Sequence, residues 1–356
     1  MATIRELARL CGVSPATVSR VFNNPEVVNA KTRTQVLRVA RQIGYLPNES
    51  ARTLATKKSF MVGLVWDTDH RRPGWRHPFF QEILVGLKTA LSGRGYHLLM
   101  LATSGDTNEE RTDDAFVRAV RRHNLDGVVM IDSGTWDPSL RRLAESGVPC
   151  VSLGRPVEGP RATYVTSDNV GGARLAVRHL HERGRRAIAT ITGPAHMRPG
   201  AERLRGYQDE LARLGLPRRP EFVVEGDFYL SGGHAAMRRL LEADDRPDAV
   251  FVAGDEMAVG ALVAIGEAGL KVPDDIEVAA LVPPGLTTVA QDKDGFGTAA
   301  AEAVVSMING ADAPPPRILP ATLVVRGSST PLLSHSRPAR GPGRASRPPS
   351  VSPLTR

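Results

Sequence analysis

The chain lacks the features of a secreted, membrane or disulfide-rich protein. It has only two cysteines, Cys11 and Cys150, and both lie in apolar local sequence. We therefore expect two buried free thiols, and neither a disulfide nor a metal site. No apolar run approaches the roughly 18 residues of a membrane span. The first ten residues carry both charge signs where a signal peptide would have an apolar centre. These absences predict a cytoplasmic protein that does not enter the membrane.

The motifs of common enzymes are also missing. A dinucleotide-binding loop needs G-x-G-x-x-G directly after the first strand, whereas "FMVGLVW" at 60–66 is followed by "DTDHRRPGWRHPFF". The sequence has no nucleophile elbow, and its nine histidines lack the spacing of metal ligands. We expect no catalytic residues, no cofactor and no metal.

Positive charge is concentrated at the two ends of the chain. Residues 1–58 carry a net charge of +7, residues 59–330 carry −4, and residues 331–356 carry five arginines and no acid. A basic head on a mildly acidic body predicts that the head meets a polyanion.

Capping signals place two short helices at the amino terminus. Thr3 and Glu6 form a capping box for a first helix, and Gly12 allows the chain to turn. Ser14 is a good N-cap for a second helix that begins at Pro15. A third helix is predicted from about Asn29 to Gly44. Three short helices with a glycine turn between the first two predict a helix-turn-helix unit, although a plain helical hairpin with a polar face is the alternative.

The second helix leaves small, polar and cationic side chains on its outer face, because Val18, Val21 and Phe22 fall on the opposite side. A helix that inserts its amino-terminal residues into a major groove needs such a face, and Arg20 is suited to read guanine. Pro15 and Ala16 offer only apolar contact, for example to a thymine methyl. The candidate DNA-contacting residues of this helix are Pro15, Ala16, Thr17, Ser19, Arg20 and Asn23.

Residues 46–58 form a predicted hinge. Pro47 ends the third helix, and Asn48 can cap a helix of about two turns, which is too short to be stable alone. Ala51 and Leu54 lie on an apolar face suited to pairing with its copy in a dimer and to wedging into a minor groove. A plain linker is the alternative.

Beyond residue 59 the pattern alternates between strands and helices. Buried strands are predicted at seven apolar runs, which begin near residues 60, 96, 126, 148, 187, 248 and 276. Helical segments lie between most of them, for instance at 78–93, 107–123, 169–184, 199–214 and 254–268. This repeat predicts two doubly wound parallel-sheet lobes, in which ligands bind at the carboxyl ends of the strands in the crevice between lobes. The fold class is thus an all-α helix-turn-helix head, residues 1–45, plus a two-lobed α/β body, residues 59–330.

The amino-terminal residues resemble those of LacI/GalR-type bacterial transcriptional repressors. The match is carried by "GVS", two variable residues and "TVSRVFN", followed by "GYLPN" and "ARTL". The body is similar to periplasmic sugar-binding proteins, as such repressor cores are. The resemblance implies a homodimer on a palindromic operator, with Leu54 intercalating into DNA. It also implies a small-molecule effector, with a sugar as one candidate.

The resemblance also supplies the candidate effector-binding residues. "HPFF" at 77–80 is similar to a family motif at the mouth of the crevice, and Arg203, three residues before "GY", matches an effector-binding arginine. The full set is Phe79, Phe80, Asp168, Arg203, Phe228 and Asp255. For each residue a purely structural role is the alternative.

Three departures from the family pattern affect this set. "IEVAALVPPGLTTV" at 276–289 runs from a strand almost directly into "PPGLTTV", so the family's acidic effector-binding loop is missing. Gly254 stands where many relatives have asparagine, and a charged "HRRPGWR" precedes "HPFF". We therefore expect effector binding to be altered, weakened or lost.

Residues 331–356 are rich in Pro, Ser, Gly and Arg and are expected to be disordered, with no leucine heptads for a tetramer.

Together these patterns predict an effector-modulated repressor of carbohydrate-related genes. The alternatives are a repressor that is constitutive or controlled by a partner, and a cytoplasmic sugar-binding module with a vestigial head.

Overall fold

The computed structural model describes residues 2–46, 53, 56–66, 78–101, 114–131, 138–280 and 285–329. The chain divides into two units, residues 1–167 with 292–319, and residues 168–291 with 320–356. The first unit contains a helical head (residues 2–46) and an α/β domain, which we call the first lobe. The second unit is the second lobe. The chain crosses between the units after Ser167, Gln291 and Leu319.

The head consists of three helices, α1 (Ile4–Cys11), α2 (Pro15–Asn23) and α3 (Ala30–Gln42). Its core is formed by Leu7, Val18 and Val36, none of which exposes any surface. Phe22 packs against Tyr45, with 5.7 Å between the ring centroids. The predicted helix-turn-helix unit is thus confirmed.

The first lobe is a six-stranded parallel sheet in the order β11-β5-β4-β3-β1-β2. Its strands are β1 (Met61–Trp66), β2 (His97–Leu101), β3 (Gly127–Ile131), β4 (Cys150–Leu153), β5 (Ala162–Ser167) and β11 (Arg317–Leu319). One face packs on α4 (Pro78–Ser92) and α11 (Lys293–Ile308), and the other packs on α5 (Ala115–Arg122) and α6 (Pro138–Glu145).

The second lobe repeats this architecture in the order β12-β10-β9-β8-β6-β7. Its strands are β6 (Ile188–Thr192), β7 (Val223–Glu225), β8 (Ala249–Val252), β9 (Glu277–Ala280), β10 (Thr287–Gln291) and β12 (Ala321–Val324). The strands are parallel except for β12, which is antiparallel to β10. The helices α9 (Leu230–Leu241) and α10 (Asp255–Glu267) cover one face, and α7 (Asn169–Glu182) and α8 (Arg198–Arg213) cover the other.

This architecture confirms the predicted fold class, with a sheet covered by helices on both faces in each lobe. The sequence predicted seven of the strands and missed β5, β7, β10, β11 and β12. Both cysteines are buried free thiols, and no helix among the described residues is long and apolar enough to cross a membrane. The described residues also contain no cluster of His, Cys, Asp and Glu that could hold a metal ion.

Candidate DNA-binding and effector sites

The start of α2 is fixed by backbone and side-chain contacts. Gly12 has a φ of 66°, a left-handed conformation that favours glycine, and it ends α1. The Thr17 amide donates to Ser14 Oγ at 3.1 Å, and the Ser14 and Thr17 hydroxyls are 2.9 Å apart. Gln35 of α3 donates to the Cys11 carbonyl at 3.2 Å, which ties the third helix to the turn. The turn therefore presents α2 at a fixed angle.

The outer face of α2 has the composition that the sequence predicted. Pro15, Ala16 and Arg20 are exposed, and Thr17 and Ser19 are half-buried. The helix has no acidic residue in its first turn, and Val18 and Val21 are buried in the head core. No residue in the described part of the chain forms an ion pair with Arg20, which leaves its guanidinium available for a partner. Asn23 is the last residue of α2.

The hinge candidates Ala51 and Leu54 lie outside the described residues, so the predicted hinge helix stays a prediction. The chain is held again where it enters the first lobe. Lys58 Nζ donates to Asn309 Oδ1 at 2.6 Å, and the amides of Ser59 and Phe60 donate to the Asp126 carboxylate at 2.9 and 2.8 Å.

The strand order of the second lobe marks where a ligand would bind. After β6, the chain forms β7 on one side of β6 and then β8 on its other side. The direction in which new strands extend the sheet therefore reverses between β6 and β8. Ligands of doubly wound sheets bind beside such a reversal, at the carboxyl ends of the strands. Gly193, the first residue after β6, and Gly254, the second residue after β8, lie at this point. Within the first lobe the same reversal falls between β1 and β3.

The guanidinium of Arg203 donates three hydrogen bonds to oxygen atoms of the second lobe. Its Nε donates to Asn169 Oδ1 at 3.0 Å, Nη1 to the Ala253 carbonyl at 2.6 Å and Nη2 to Gln291 Oε1 at 3.4 Å. Burial lowers the pKa of Arg203 to about 10, and the carboxylates of Asp255 and Glu202 oppose this shift. The predicted Asp255 thus lies close enough to Arg203 for its charge to raise the pKa of the guanidinium.

Asp168 lies near Arg203 on one small pocket, as the resemblance implied, and it also has a structural role. Its carboxylate caps α7 by accepting from the Gly171 amide at 2.8 Å. The residue bonded to Arg203 is the next one, Asn169, whose Nδ2 also donates to Glu202 Oε2 at 2.9 Å. The two residues line one small pocket together with Arg203 and Gln291. Sequence reasoning missed Asn169 and Gln291, although "SDN" placed an amide next to the predicted aspartate.

Phe228 lies next to Arg203 in an unusual backbone conformation. Its φ is 68°, in the left-handed region that a bulky residue rarely adopts. The Arg203 Cζ atom is 5.8 Å from the centroid of the Phe228 ring. Four second-lobe candidates, Asp168, Arg203, Phe228 and Asp255, are therefore brought into one neighbourhood by α7, α8, the segment after β7 and the start of α10.

The first-lobe candidates Phe79 and Phe80 belong to an aromatic cluster. They lie in the first turn of α4, both half-buried, with 5.2 Å between their ring centroids. Phe80 meets Trp66, the last residue of β1, at 5.4 Å, and Phe79 meets Phe296 of α11 at 6.0 Å. Both rings pack on the first-lobe core, which agrees with the structural alternative without excluding ligand contact. Trp66 was not singled out in the sequence, although it ends a strand at the ligand-binding edge.

The connection between β9 and β10 is as short as the sequence indicated. Parallel neighbours normally need a crossover of a dozen or more residues, yet only residues 281–286 separate β9 from β10. The two strands pair over only Ala279 with Thr287 and Ala280 with Thr288. Because their overlap is so small, a short connection can join them. Of this connection, residues 281–284 lie outside the described residues.

Comparison with known proteins agrees with this architecture. Residues 3–48 match the family model described as bacterial regulatory proteins, lacI family, and residues 177–329 match a periplasmic binding protein-like domain. The HTH-type transcriptional regulator CelR of Thermobifida fusca is 36% identical over 92% of this chain and 98% of its own length. The ribose operon repressor of Escherichia coli K12 is 33% identical over 86% of this chain and 93% of its own length.

Solved structures give the same result. The CelR–cellobiose complex superposes with a TM-score of 0.67 at 35% identity, over 92% of this chain and 100% of that one. The lac repressor dimer bound to operator and the anti-inducer ONPF superposes with a TM-score of 0.71 at 26% identity, over 92% and 99%. The chain has a capped helix-turn-helix head followed by two doubly wound lobes, and the relatives named above match it in sequence over nearly its whole length. It therefore belongs to the LacI family of bacterial transcriptional regulators.

Proposed function

We propose that α2 reads an operator through Arg20, with Pro15, Ala16, Thr17, Ser19 and Asn23 as neighbouring contacts. The chain is a DNA-binding transcriptional regulator, and the proposal concerns how it selects its sequence. The observation that carries it is the exposed Arg20 on a helix whose first turn is capped by Ser14 and free of acids. A guanidinium can donate two parallel bonds to guanine O6 and N7, and no other base pair offers that pattern.

The test separates base reading from charge. Arg20→Lys keeps the positive charge but loses the planar pair of donors. We expect Arg20→Ala and Arg20→Lys both to lose about 1–3 kcal/mol of preference for the upstream DNA of the chain's own gene over random DNA. Fluorescence anisotropy at one fixed salt concentration measures both affinities.

Arg41→Ala is the matched control, because Arg41 is exposed in the last turn of α3 and its loss removes the same charge. It should weaken binding to both DNAs alike and leave the preference unchanged. If Arg20→Ala retains the parent's preference, α2 does not read the operator through Arg20.

For the body, we propose that a small carbohydrate-like effector binds at the carboxyl edge of the second lobe, beside Arg203, Phe228 and Asp255. The convergence of Arg203, Asn169, Gln291 and Phe228 beside the β6–β8 reversal supports this site. The relative CelR has been solved in complex with cellobiose, which makes neutral saccharides the first ligands to try. The chain is proposed to act as a homodimer without catalytic activity.

A repressor that no small molecule controls is the second candidate. It is favoured by the short connection between β9 and β10 and by the three bonds that Arg203 makes within its own lobe. Thermal unfolding of the full chain with a panel of saccharides and nucleosides separates the two. A concentration-dependent rise in Tm supports effector control, and an unchanged Tm across the panel supports the second candidate.

A further inference from the structure

We propose that the first lobe carries a second DNA-contacting surface, in which Arg121, Arg122 and Lys57 bind backbone phosphates beside the sequence that the head reads. The surface lies at the amino edge of the first-lobe sheet, by which we mean the edge at which its parallel strands begin. The inference goes beyond operator reading by Arg20 and does not depend on it, because phosphate contacts add affinity without reading bases.

The last turn of α5 lies at the edge where the chain enters the first lobe. The strand β1 pairs in parallel with both β2 and β3, so the segments that precede these three strands share one edge. Asp126, directly before β3, donates its amide to the Met61 carbonyl at 2.9 Å, and its carboxylate accepts from the two amides that precede β1. Arg121 and Arg122 end α5 shortly before Asp126. They therefore lie at the same edge as the segment that leads to the head.

The charge on the amino edge is uneven. The segments before β1, β2 and β3 contain five lysines and arginines and a single acid, Asp126, whose two carboxylate oxygens already accept from backbone amides. The segments before β4, β5 and β11 contain three acids, Glu145, Glu158 and Asp312, against two arginines. These segments are residues 56–60, 92–96 and 121–126 on the first half, and residues 145–149, 154–161 and 309–316 on the second. The cationic half is therefore the one at which the chain arrives from the head.

The three cations of the proposed surface are open to an external partner. Arg121, Arg122 and Lys57 are all exposed, and none of them forms an ion pair within the ranges that the structure describes. Arg122 also follows Arg118 by four residues on α5, and like charges at this spacing repel each other on a helix. A group of exposed cations without acidic neighbours is suited to bind an anionic partner.

The head keeps this surface close to DNA. The chain from Leu46, the last described residue of the head, to Lys57 spans at most roughly 40 Å even when it is fully extended. A duplex that the head holds presents one phosphate charge for about every 1.7 Å of its axis. Charge complementarity and the short tether both select duplex DNA, next to the sequence that the head reads, as the partner of this surface.

The first experiment compares the full chain with its Arg121→Ala/Arg122→Ala variant on a long fragment of the upstream DNA of the chain's own gene. Fluorescence anisotropy between about 50 and 200 mM salt measures the affinity and its salt slope. We expect the variant to bind at least tenfold more weakly at the lowest salt concentration. Its slope should be shallower by about 1–2 per chain, because each lost phosphate contact removes about 0.9. An unchanged affinity and slope overturn the proposal and would point to an acidic protein as the partner.

The length of the DNA locates the contacts. The same fragment is trimmed to the shortest duplex that the parent still prefers over random DNA. On this short duplex, the variant with both arginines replaced should bind as the parent does, because the flanking phosphates are gone. An equal loss on the long and the short duplex would show that the two arginines act within the sequence that the head reads, which overturns the proposal.

A matched pair of arginines controls for net charge and helix position. Arg238 and Arg239 are exposed in the last turn of α9, as Arg121 and Arg122 are in the last turn of α5. Arg238→Ala/Arg239→Ala removes the same charge from the second lobe and should leave DNA affinity unchanged. An equal loss in both double variants would assign the effect to net charge and overturn the proposal.

Two further measurements separate phosphate binding from damage to the fold and from operator reading. Arg121→Lys/Arg122→Lys keeps both charges and should bind as the parent does, since a phosphate accepts either cation. The alanine variant should keep the parent's Tm and its preference for the upstream DNA over random DNA of equal length. Arg20→Ala is expected to lose that preference. The failure of either proposal can thus be recognised without the other.

Discussion

Glu210 shows how one buried carboxylate joins the two helices that cover one face of the second lobe. It exposes 1% of its side chain, and its Oε1 accepts from Arg178 of α7 at 2.8 Å and from Arg213 of α8 at 2.6 Å. The Arg213 hydrogen bond, aided by Arg178, lowers the pKa of Glu210 to about 2 from its ordinary value of 4.5. The ionised carboxylate therefore stabilises the folded lobe.

The sign of this linkage gives a pH-dependent prediction. Because the folded pKa lies below the unfolded one, the contribution is fully present above about pH 4.5 and is lost as the pH falls towards 2. Glu210→Gln should cost about 2–4 kcal/mol in the free energy of unfolding at pH 7. Urea unfolding at pH 7 and pH 3 should show the deficit shrinking at the lower pH. In Glu242→Gln, where the carboxylate is exposed and 3.8 Å from Arg238, we expect no such change.

For single residues, the sequence predicted which residue types lie near the effector site better than it predicted which partners they contact. Arg203 and Asp255 were predicted and do lie beside each other. Asp168 was predicted too and lines the same small pocket, where it caps a helix, while the adjacent Asn169 accepts the hydrogen bond from the arginine. Which of two neighbouring side chains reaches a partner depends on how a helix is rotated against the sheet, and a single sequence does not carry that rotation.

Among the elements, α4 and α11 form a close helix pair in the first lobe that depends on two glycines. A Cβ on Gly297 would lie 2.2 Å from the Leu87 backbone nitrogen, and one on Gly86 would lie 2.8 Å from the Asp294 carbonyl oxygen. Since the obstructing atoms belong to backbone, neither helix can yield without moving as a whole.

Gly297→Ala should therefore destabilise the protein by about 1–3 kcal/mol, although alanine is the better helix former. Thermal or urea unfolding of the full chain measures the change. Gly266→Ala is the control, since it places the same methyl group on a helix where nothing lies within 4 Å. If the two variants are equally stable, the close approach of α4 and α11 does not contribute to the free energy of unfolding.

The strands that the sequence missed are short or lack a long apolar run. The strand β10 begins with Thr287 and Thr288, which are fully buried, and follows a proline-rich segment that indicates a turn. Thr287 can be buried in a strand because its hydroxyl group is hydrogen-bonded, with Oγ1 donating to the Arg326 carbonyl at 3.0 Å. The strands β11 and β12 are three and four residues long and pair at sheet edges. Long apolar runs identify strands from sequence alone, whereas short or polar strands such as these depend on partners distant in sequence.

For the whole molecule, the distribution of charge predicts how DNA binding responds to salt. The head and the carboxyl-terminal tail are basic, and the body between them is mildly acidic. Each phosphate contact that a cation makes contributes about −0.9 to the slope of log affinity against log salt concentration.

Deletion of residues 331–356 removes five arginines. It should weaken binding to random DNA, reduce the salt slope and leave the preference for the operator unchanged, because cations that contact only phosphates supply attraction without reading bases. Titrations between about 50 and 200 mM salt measure the slope. A tail in which all five arginines are replaced by lysine should behave as the parent. A loss of operator preference on deletion would show that the tail takes part in recognition.

The crossing of the chain between its two units has a consequence for synthesis. Residues up to 167 form most of the first lobe, but its core is covered only when α11 and β11, at residues 293–319, have been added. At ordinary translation rates, the ribosome takes roughly 6 to 25 s to add the intervening stretch. During that interval the nascent amino-terminal domain keeps an open apolar face that chaperones recognise. A prematurely terminated chain would carry the head without a finished lobe, and quality-control proteases would find it easily.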